Sequence, residues 1–270
     1  MKTTSPTILA LDFDGVLCDG LIEYFQTAWQ AYSRIWSPMS AQPPAGLAER
    51  FYRLRPVVET GWEMPLLLRS LLLGAADADI LNDWPTLAHD LVTAEQLDSA
   101  HLAATVDGVR DEWIARDVDH WLAQHRFYPG VIARLQEAIA QCTVAIVTTK
   151  EGRFVTQLLQ QQGIQLDPSM ILGKEVKQPK YQTLRQLRSR YGSQSLIWFV
   201  EDRLKALQSV QGQDDLHDVR LFLADWGYNT ESDRAQAQQA AAVDLISLAT
   251  FCQPFSHWPS HQDDSASAST

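Results

Sequence analysis

Short apolar runs rich in β-branched residues recur along the chain: "TILAL" (7–11), "TVAIV" (143–147), "SMIL" (169–172), "SLIWFV" (195–200) and "VRLFLA" (219–224). Most lack the in/out alternation of a strand with one wet face, so they predict strands covered on both sides. Helical patterns lie between several of them. "VIARLQEAIAQ" places Val131, Ile132, Leu135 and Ile139 on one face, and "RFVTQLLQQQGI" does the same with Phe154, Val155, Leu158 and Leu159 ahead of a stopping Gly163. Strand–helix–strand alternation of this kind predicts an α/β protein with a doubly wound parallel sheet.

The first two runs are separated by far more chain than one crossover helix requires. Residues 20–125 carry six of the nine tryptophans. "LIEYFQTAWQAYSRIW" gathers Leu21, Phe25, Ala28, Trp29 and Tyr32, and "VRDEWIARDVDHWL" repeats apolar residues at Val109, Trp113, Val118, Trp121 and Leu122. The pattern predicts an inserted α-helical domain at 20–125, interrupting an α/β core made of 1–19 and 126–250. The polar, low-complexity end, 251–270, is predicted to be disordered.

Composition narrows the functions open to such a chain. Hydrophobic residues make up 46% of the sequence, enough for ordinary cores, and 33 acids against 22 bases leave a net charge of −11. That charge repels polyanions, so neither nucleic acid nor an anionic membrane is an expected partner. The richest apolar stretch, "MPLLLRSLLLGA", is interrupted by Arg69 and falls short of the ~18 apolar residues of a spanning helix. The N-terminus lacks the apolar core of a signal peptide, and the three cysteines form no C-x-x-C, so a reducing, cytoplasmic setting is expected.

The candidate chemistry sits where the apolar runs end. "ILALDFDGVLCDG" closes the first strand on Asp12 and Asp14, which project to the same side of an extended backbone. Two adjacent like charges raise each other's pKa unless a cation neutralises them, and hard oxygen ligands around a small site suit Mg²⁺. "TVAIV" runs into Thr148, Thr149 and Lys150, and "SLIWFV" runs into Glu201 and Asp202. Ligands of open parallel sheets bind beyond the carboxyl ends of the strands, so these termini are expected to converge. Among the nearby lysines Lys174, Lys177 and Lys180, the last opens an amphipathic helix after Pro179. Carboxylates with a metal, a hydroxyl and an ammonium form a phosphate-handling set. No H-E-x-x-H, G-x-G-x-x-G or Walker sequence offers a competing site.

These segments together resemble the haloacid dehalogenase superfamily of phosphohydrolases. "LDFDGVLCD" is similar to its first signature, "FYPGVIARLQEAIAQCTVAIVTTKEGRFVTQLLQQQGI" to the second with its flanking helices, "WFVEDRLKAL" to the fourth, and "LFLADWGYNTES" to the segment after the fifth strand. The resemblance implies a Mg²⁺-dependent phosphatase of small phosphorylated metabolites, with the inserted helices as a cap. It implies that Asp12 is the nucleophile forming an aspartyl-phosphate and Asp14 the acid/base. Thr148 would bind a phosphoryl oxygen, and Lys180 would neutralise nucleophile and phosphate. Asp202 would hold the metal with the Asp12 carboxylate and the Asp14 backbone carbonyl.

The chain departs from the family pattern where Glu201 stands for a frequent glycine and Ala206 for a later acid, which leaves metal binding to Asp202, with Glu201 as a candidate partner. Asp14 favours phosphoryl transfer over dehalogenation, since a halide leaving group needs no proton. A sugar-phosphate mutase and a non-catalytic binding factor of the same fold are the alternatives. In the cap, Arg53 and Arg55 of "FYRLRPVVETGWEMP" precede a break at Pro56. They are candidates for gripping a second anion on the substrate, or for plain salt bridges to Glu59 and Glu63.

Overall fold

Strand β1 (Ile8–Leu11) lies at the middle of a six-stranded sheet in the computed structural model, which describes residues 5–240 and 242–259. The other members are β4 (Thr143–Val147), β5 (Ile171–Leu172), β6 (Ile197–Glu201), β7 (Arg220–Ala224) and β8 (Val243–Ile246). Their order is β5-β4-β1-β6-β7-β8, every pairing is parallel, and Leu11 lies opposite Ile146 on one side and Val200 on the other. The chain builds outward from β1 in one direction and then returns to build in the other, so strand order reverses at the carboxyl end of β1. Two-residue strands β2 (Cys18–Asp19) and β3 (Arg126–Phe127) mark where it leaves and re-enters this region.

The described residues fall into two compact units, one built from the chain up to Cys18 and from Phe127 onward, the other from Asp19–Arg126. In the sheet unit, Ile8, Ala10, Ala145, Val147, Ile197, Phe199, Leu221 and Leu223 are buried together with Leu184, Leu187, Leu204 and Leu207. The last four come from helices α9 (Lys180–Tyr191) and α10 (Leu204–Gln211). The alternate strand residues, Leu9, Leu11, Val144, Ile146, Trp198 and Phe222, are buried on the opposite face. Apolar residues on both faces leave the strands without polar alternation, as the sequence predicts.

Helix α7 (Val131–Ile139) departs from its predicted stripe: Val131, Arg134, Leu135 and Ala138 are buried and Ile139 is exposed. The Arg134 guanidinium is accommodated because it stacks 4.1 Å from the Phe255 ring centroid and reaches Glu137 at 3.3 Å.

The predicted disordered tail requires a larger correction. Residues 251–259 are packed: Phe251, Phe255 and Trp258 are buried, and Trp258 lies 5.5 Å from Trp198 and 5.1 Å from Phe222 between ring centroids. Burying three large aromatic side chains against the sheet outweighs the ordering cost of a short segment. The rest of that predicted tail, 260–270, lies outside the described residues.

The second unit is helical: α1 (Leu21–Trp36), α2 (Leu47–Leu54), α3 (Glu63–Leu72), α4 (Asp77–Ala94), α5 (Ser99–Arg116) and α6 (Val118–Leu122). Its own core joins Phe25, Trp29, Tyr32, Phe51, Leu54, Leu67, Trp84, Leu102 and Val106. Glu23, 1% exposed, is satisfied by Arg110 at 2.8 Å, Thr27 at 2.7 Å and the Trp121 indole at 3.2 Å. Helix α4 kinks ahead of Pro85, whose ring removes a helical donor, with Asp83 at φ −150°. No helix among the described residues is long and apolar enough to cross a membrane.

Candidate active site

Asp12 directly follows β1, and its backbone N–H donates to Val200 of β6 at 2.9 Å, so the carboxylate emerges where strand order reverses. The chain then turns tightly: the amides of Leu17 and Cys18 both donate to the Phe13 carbonyl at 2.9 Å. Thr148, directly beyond β4, is anchored by its amide on the Leu172 carbonyl of β5 at 3.1 Å, while Glu201 ends β6 and Asp202 directly follows it. Lys180 is the first residue of α9.

Three acids meet closely here. Asp12, Glu201 and Asp202 are 7%, 0% and 1% exposed, and one oxygen of each lies within 4.8 Å of the others. They are the one such cluster among the described residues. Lys180 Nζ sits 2.9 Å from Asp12 Oδ2 and 2.5 Å from Glu201 Oε2, which selects Lys180 over Lys174 and Lys177. The other Glu201 oxygen accepts the amides of Asp202 at 3.2 Å and Arg203 at 3.0 Å. Glu201, flagged in the sequence as a departure, thus acts here as the partner that seats the lysine.

Burial dominates the electrostatics. It pushes the Asp12 carboxyl up to about 7, aided by the Glu201 charge and opposed by Lys180. It likewise raises Asp202 to about 6, with Asp12 as the next contributor, and raises Glu201. Burial works against the Lys180 ammonium too, but Asp12 and Glu201 overcome it and hold its pKa above the usual lysine value. Three buried carboxylates thus face one ammonium. That excess of negative charge on hard oxygen donors fits a divalent cation such as Mg²⁺, which would offset the burial and the repulsion that together raise Asp12 and Asp202.

Two glycines make room for Asp202. A Cβ on Gly15, whose φ is +84°, would fall 2.0 Å from Asp202 Oδ2, and one on Gly227 would fall 2.3 Å from Asp202 Cβ. The Tyr228 amide donates to Asp202 Oδ2 at 2.6 Å, and the Asn229 side chain donates to the Asp202 carbonyl at 3.0 Å. The "DWGYN" segment after β7 is therefore the cradle of Asp202, while Trp226 donates to the Val16 carbonyl at 3.1 Å. A glycine in each of two loops that follow strands is the sequence signal for this close approach.

Asp14 is set apart from the cluster by its partner. Lys150 Nζ lies 3.2 and 3.4 Å from the two Asp14 oxygens; the sequence places this lysine at a strand end expected to converge on the site but assigns it no role. The Thr148 hydroxyl accepts the Lys150 amide at 3.2 Å, which leaves its hydrogen to offer to a ligand oxygen. In the helical unit the break at Pro56 is present, with Arg55–Val57 forming a 3₁₀ turn. Arg53 pairs with Asp77 at 3.0 Å, whereas Arg55 donates to the Val58 carbonyl and covers the Tyr24 ring. The two arginines point to different partners, and Glu63 is engaged by Thr60 and Trp84.

No protein-family model matches the chain, and no curated protein matches it. Solved structures do. A haloacid dehalogenase-like family hydrolase from Streptococcus pneumoniae aligns at TM-score 0.54 and 15% identity, covering 92% of this chain and 95% of its own. A haloacid dehalogenase-like protein of unknown function from Agrobacterium tumefaciens aligns at 0.53 and 16%, covering 90% and 93%. A protein from Haemophilus somnus described as a predicted phosphoglycolate phosphatase aligns at 0.55 and 18%, covering 89% and 94%. With a doubly wound parallel sheet and acidic strand ends meeting at its switch point, the chain has the haloacid dehalogenase-like fold.

Proposed function

We propose that the chain is a divalent-cation-dependent phosphatase that hydrolyses a small phosphate monoester through a covalent intermediate on Asp12. The observation that carries this reading is the Asp12 carboxylate at the switch point, held 2.9 Å from Lys180 within a buried acidic cluster. An oxygen of Asp12 attacks phosphorus as the bond to the leaving oxygen breaks, and Asp14 gives that oxygen its proton. Water then attacks the aspartyl-phosphate, Asp14 takes the water's proton, and Asp12 is regenerated as phosphate departs. Lys180 and the Thr148 hydroxyl supply a positive charge and a hydrogen bond to the phosphoryl oxygens. Asp12 and Asp202 would hold the cation, with the Asp14 carbonyl and Glu201 as further candidate donors. When bound, Mg²⁺ supplies the remaining positive charge against the phosphoryl group. Names of similar folds support a small phosphorylated metabolite as substrate, phosphoglycolate among the candidates.

The test is turnover of p-nitrophenyl phosphate by the full chain, with Mg²⁺ and with EDTA. Activity should require the metal and vanish in a folded Asp12→Asn variant, because an amide neither attacks phosphorus nor carries the needed charge. Metal-independent turnover, or wild-type turnover by Asp12→Asn, overturns the reading. Absence of turnover on a broad panel of phosphate monoesters favours the non-catalytic alternative.

A further inference from the structure

We infer that Lys150 is a positioning residue for Asp14: its ammonium holds the Asp14 carboxylate in one orientation and matches the negative charge left there when the proton has gone to the leaving group. This rests on the phosphatase reading above. Lys150 and Asp14 both belong to the sheet unit, and the ammonium lies at nearly equal distance, 3.2 and 3.4 Å, from both carboxylate oxygens. The Lys150 side chain is only 8% exposed and the Asp14 side chain 19%. In such surroundings an ion pair is screened far less than on a surface.

The backbone at each end of the pair is fixed. The Lys150 amide donates to the Thr148 hydroxyl, its carbonyl accepts the Lys174 amide at 2.9 Å, and Asp14 lies in the tight turn closed by Phe13 and Cys18. An aspartate side chain has rotational freedom that a proton donor cannot use, since transfer requires hydrogen-bond reach of one atom. The salt bridge removes that freedom. It also ties Asp14, in the loop after β1, to the loop after β4 that carries Lys150 and Thr148, so the group that binds the phosphoryl oxygen and the group that protonates the leaving oxygen are coupled through Lys150.

Each turnover uses the pair twice. As the bond from phosphorus to the leaving oxygen breaks, the proton moves from Asp14 to that oxygen and the resulting carboxylate faces Lys150. When water attacks the aspartyl-phosphate, the proton returns to the same carboxylate. The Lys150 charge is neither consumed nor transferred.

The experiment compares wild type, Lys150→Met, Lys150→Arg, Asp14→Asn and the double variant Lys150→Met/Asp14→Asn on p-nitrophenyl phosphate and on an alkyl phosphate. The nitrophenolate leaves without a proton and the alkoxide does not. In a single turnover Lys150→Met should slow release of the alcohol from the alkyl phosphate by about tenfold or more, part of the ~10²–10⁴ available from acid–base help. It should change KM little and single-turnover release of p-nitrophenol much less, and Lys150→Arg should recover part of the loss. In the Asp14→Asn background, Lys150→Met should add almost nothing, the non-additivity expected of residues acting as a unit. Equal losses of leaving-group release on both substrates, multiplicative losses in the double variant, or a loss confined to KM would overturn the inference while leaving the phosphatase reading intact. A wild type inactive on both substrates would overturn both. Thermal melts of each variant separate misfolding from these outcomes, and Lys150→Arg, which keeps the charge, serves if Lys150→Met does not fold.

Discussion

Replacing Asp202 by asparagine should make the metal-free protein more stable at pH 8 and remove its response to Mg²⁺. Burial, with Asp12 beside it, raises the Asp202 carboxyl from 3.8 to about 6. A carboxyl with a higher pKa folded than unfolded binds more protons in the folded state, so folded stability is full below about pH 4 and is lost as pH climbs through about 6. Two units at about 1.4 kcal/mol each set the loss at roughly 3 kcal/mol. Asp12, raised to about 7, adds to the loss over the same window, though the two shares are coupled through their mutual repulsion. Asparagine keeps the shape and an oxygen for the Tyr228 amide, which donates to Asp202 at 2.6 Å, but carries no charge.

For a chain of this size about 1 kcal/mol corresponds to roughly 2–4 °C, so the metal-free variant should melt several degrees above wild type at pH 8 and close to it at about pH 4, below which the Asp202 contribution is whole. Mg²⁺ at a hundred times its Kd should stabilise wild type by about 2.7 kcal/mol and the variant by little. Thermal melts of chelator-treated protein at both pH values, with and without Mg²⁺, read all four quantities. A variant that melts below wild type at pH 8 without metal would refute the charge reasoning, and one that keeps the full Mg²⁺ shift would remove Asp202 from the metal site.

Two further outcomes follow from packing. Gly15→Ala puts a methyl group 2.0 Å from Asp202 Oδ2 at a φ of +84°, so it should raise the Mg²⁺ concentration needed for half-maximal activity and lower the melting temperature. A Mg²⁺ titration that superimposes on wild type would contradict that close approach. Trp258→Ala, at a side chain 3% exposed against Trp198 and Phe222, should cost about 3–5 kcal/mol in urea unfolding. A cost below about 1 kcal/mol, the range of exposed positions, would return 251–259 to a disordered tail.

What the sequence made legible follows from how much each element depends on its own residues. "TVAIV" is β4 at its predicted limits, because a strand buried on both faces needs an uninterrupted apolar run. β8 escaped detection: Val243–Ile246 is four residues long, and Asp244, which pairs with Arg220 at 3.4 Å, breaks its apolar pattern. The packed end at 251–259 was overshadowed by the polar, low-complexity run that follows it, although Phe251, Phe255 and Trp258 recur at the spacing of a helical face. In the site, Asp12, Glu201 and Asp202 were legible as acids at strand ends, and the sheet brings those ends together whatever the loops do. The Lys150–Asp14 and Lys180–Glu201 pairs were not, because a lysine reaches its partner through four rotatable bonds that no spacing rule constrains.

The covalent step is the most direct point of attack. In a single turnover with a radiolabelled phosphate monoester and Mg²⁺, stopped by acid within the first half-time, wild type should carry label on the protein. Proteolytic mapping should place it on the peptide containing Asp12. Asp14→Asn, which lacks the base for hydrolysis of the aspartyl-phosphate, should carry at least as much, and Asp12→Asn none. Phosphate released at the full rate with no protein-bound label at any quench time, or label on a residue other than Asp12, would contradict Asp12 as the nucleophile.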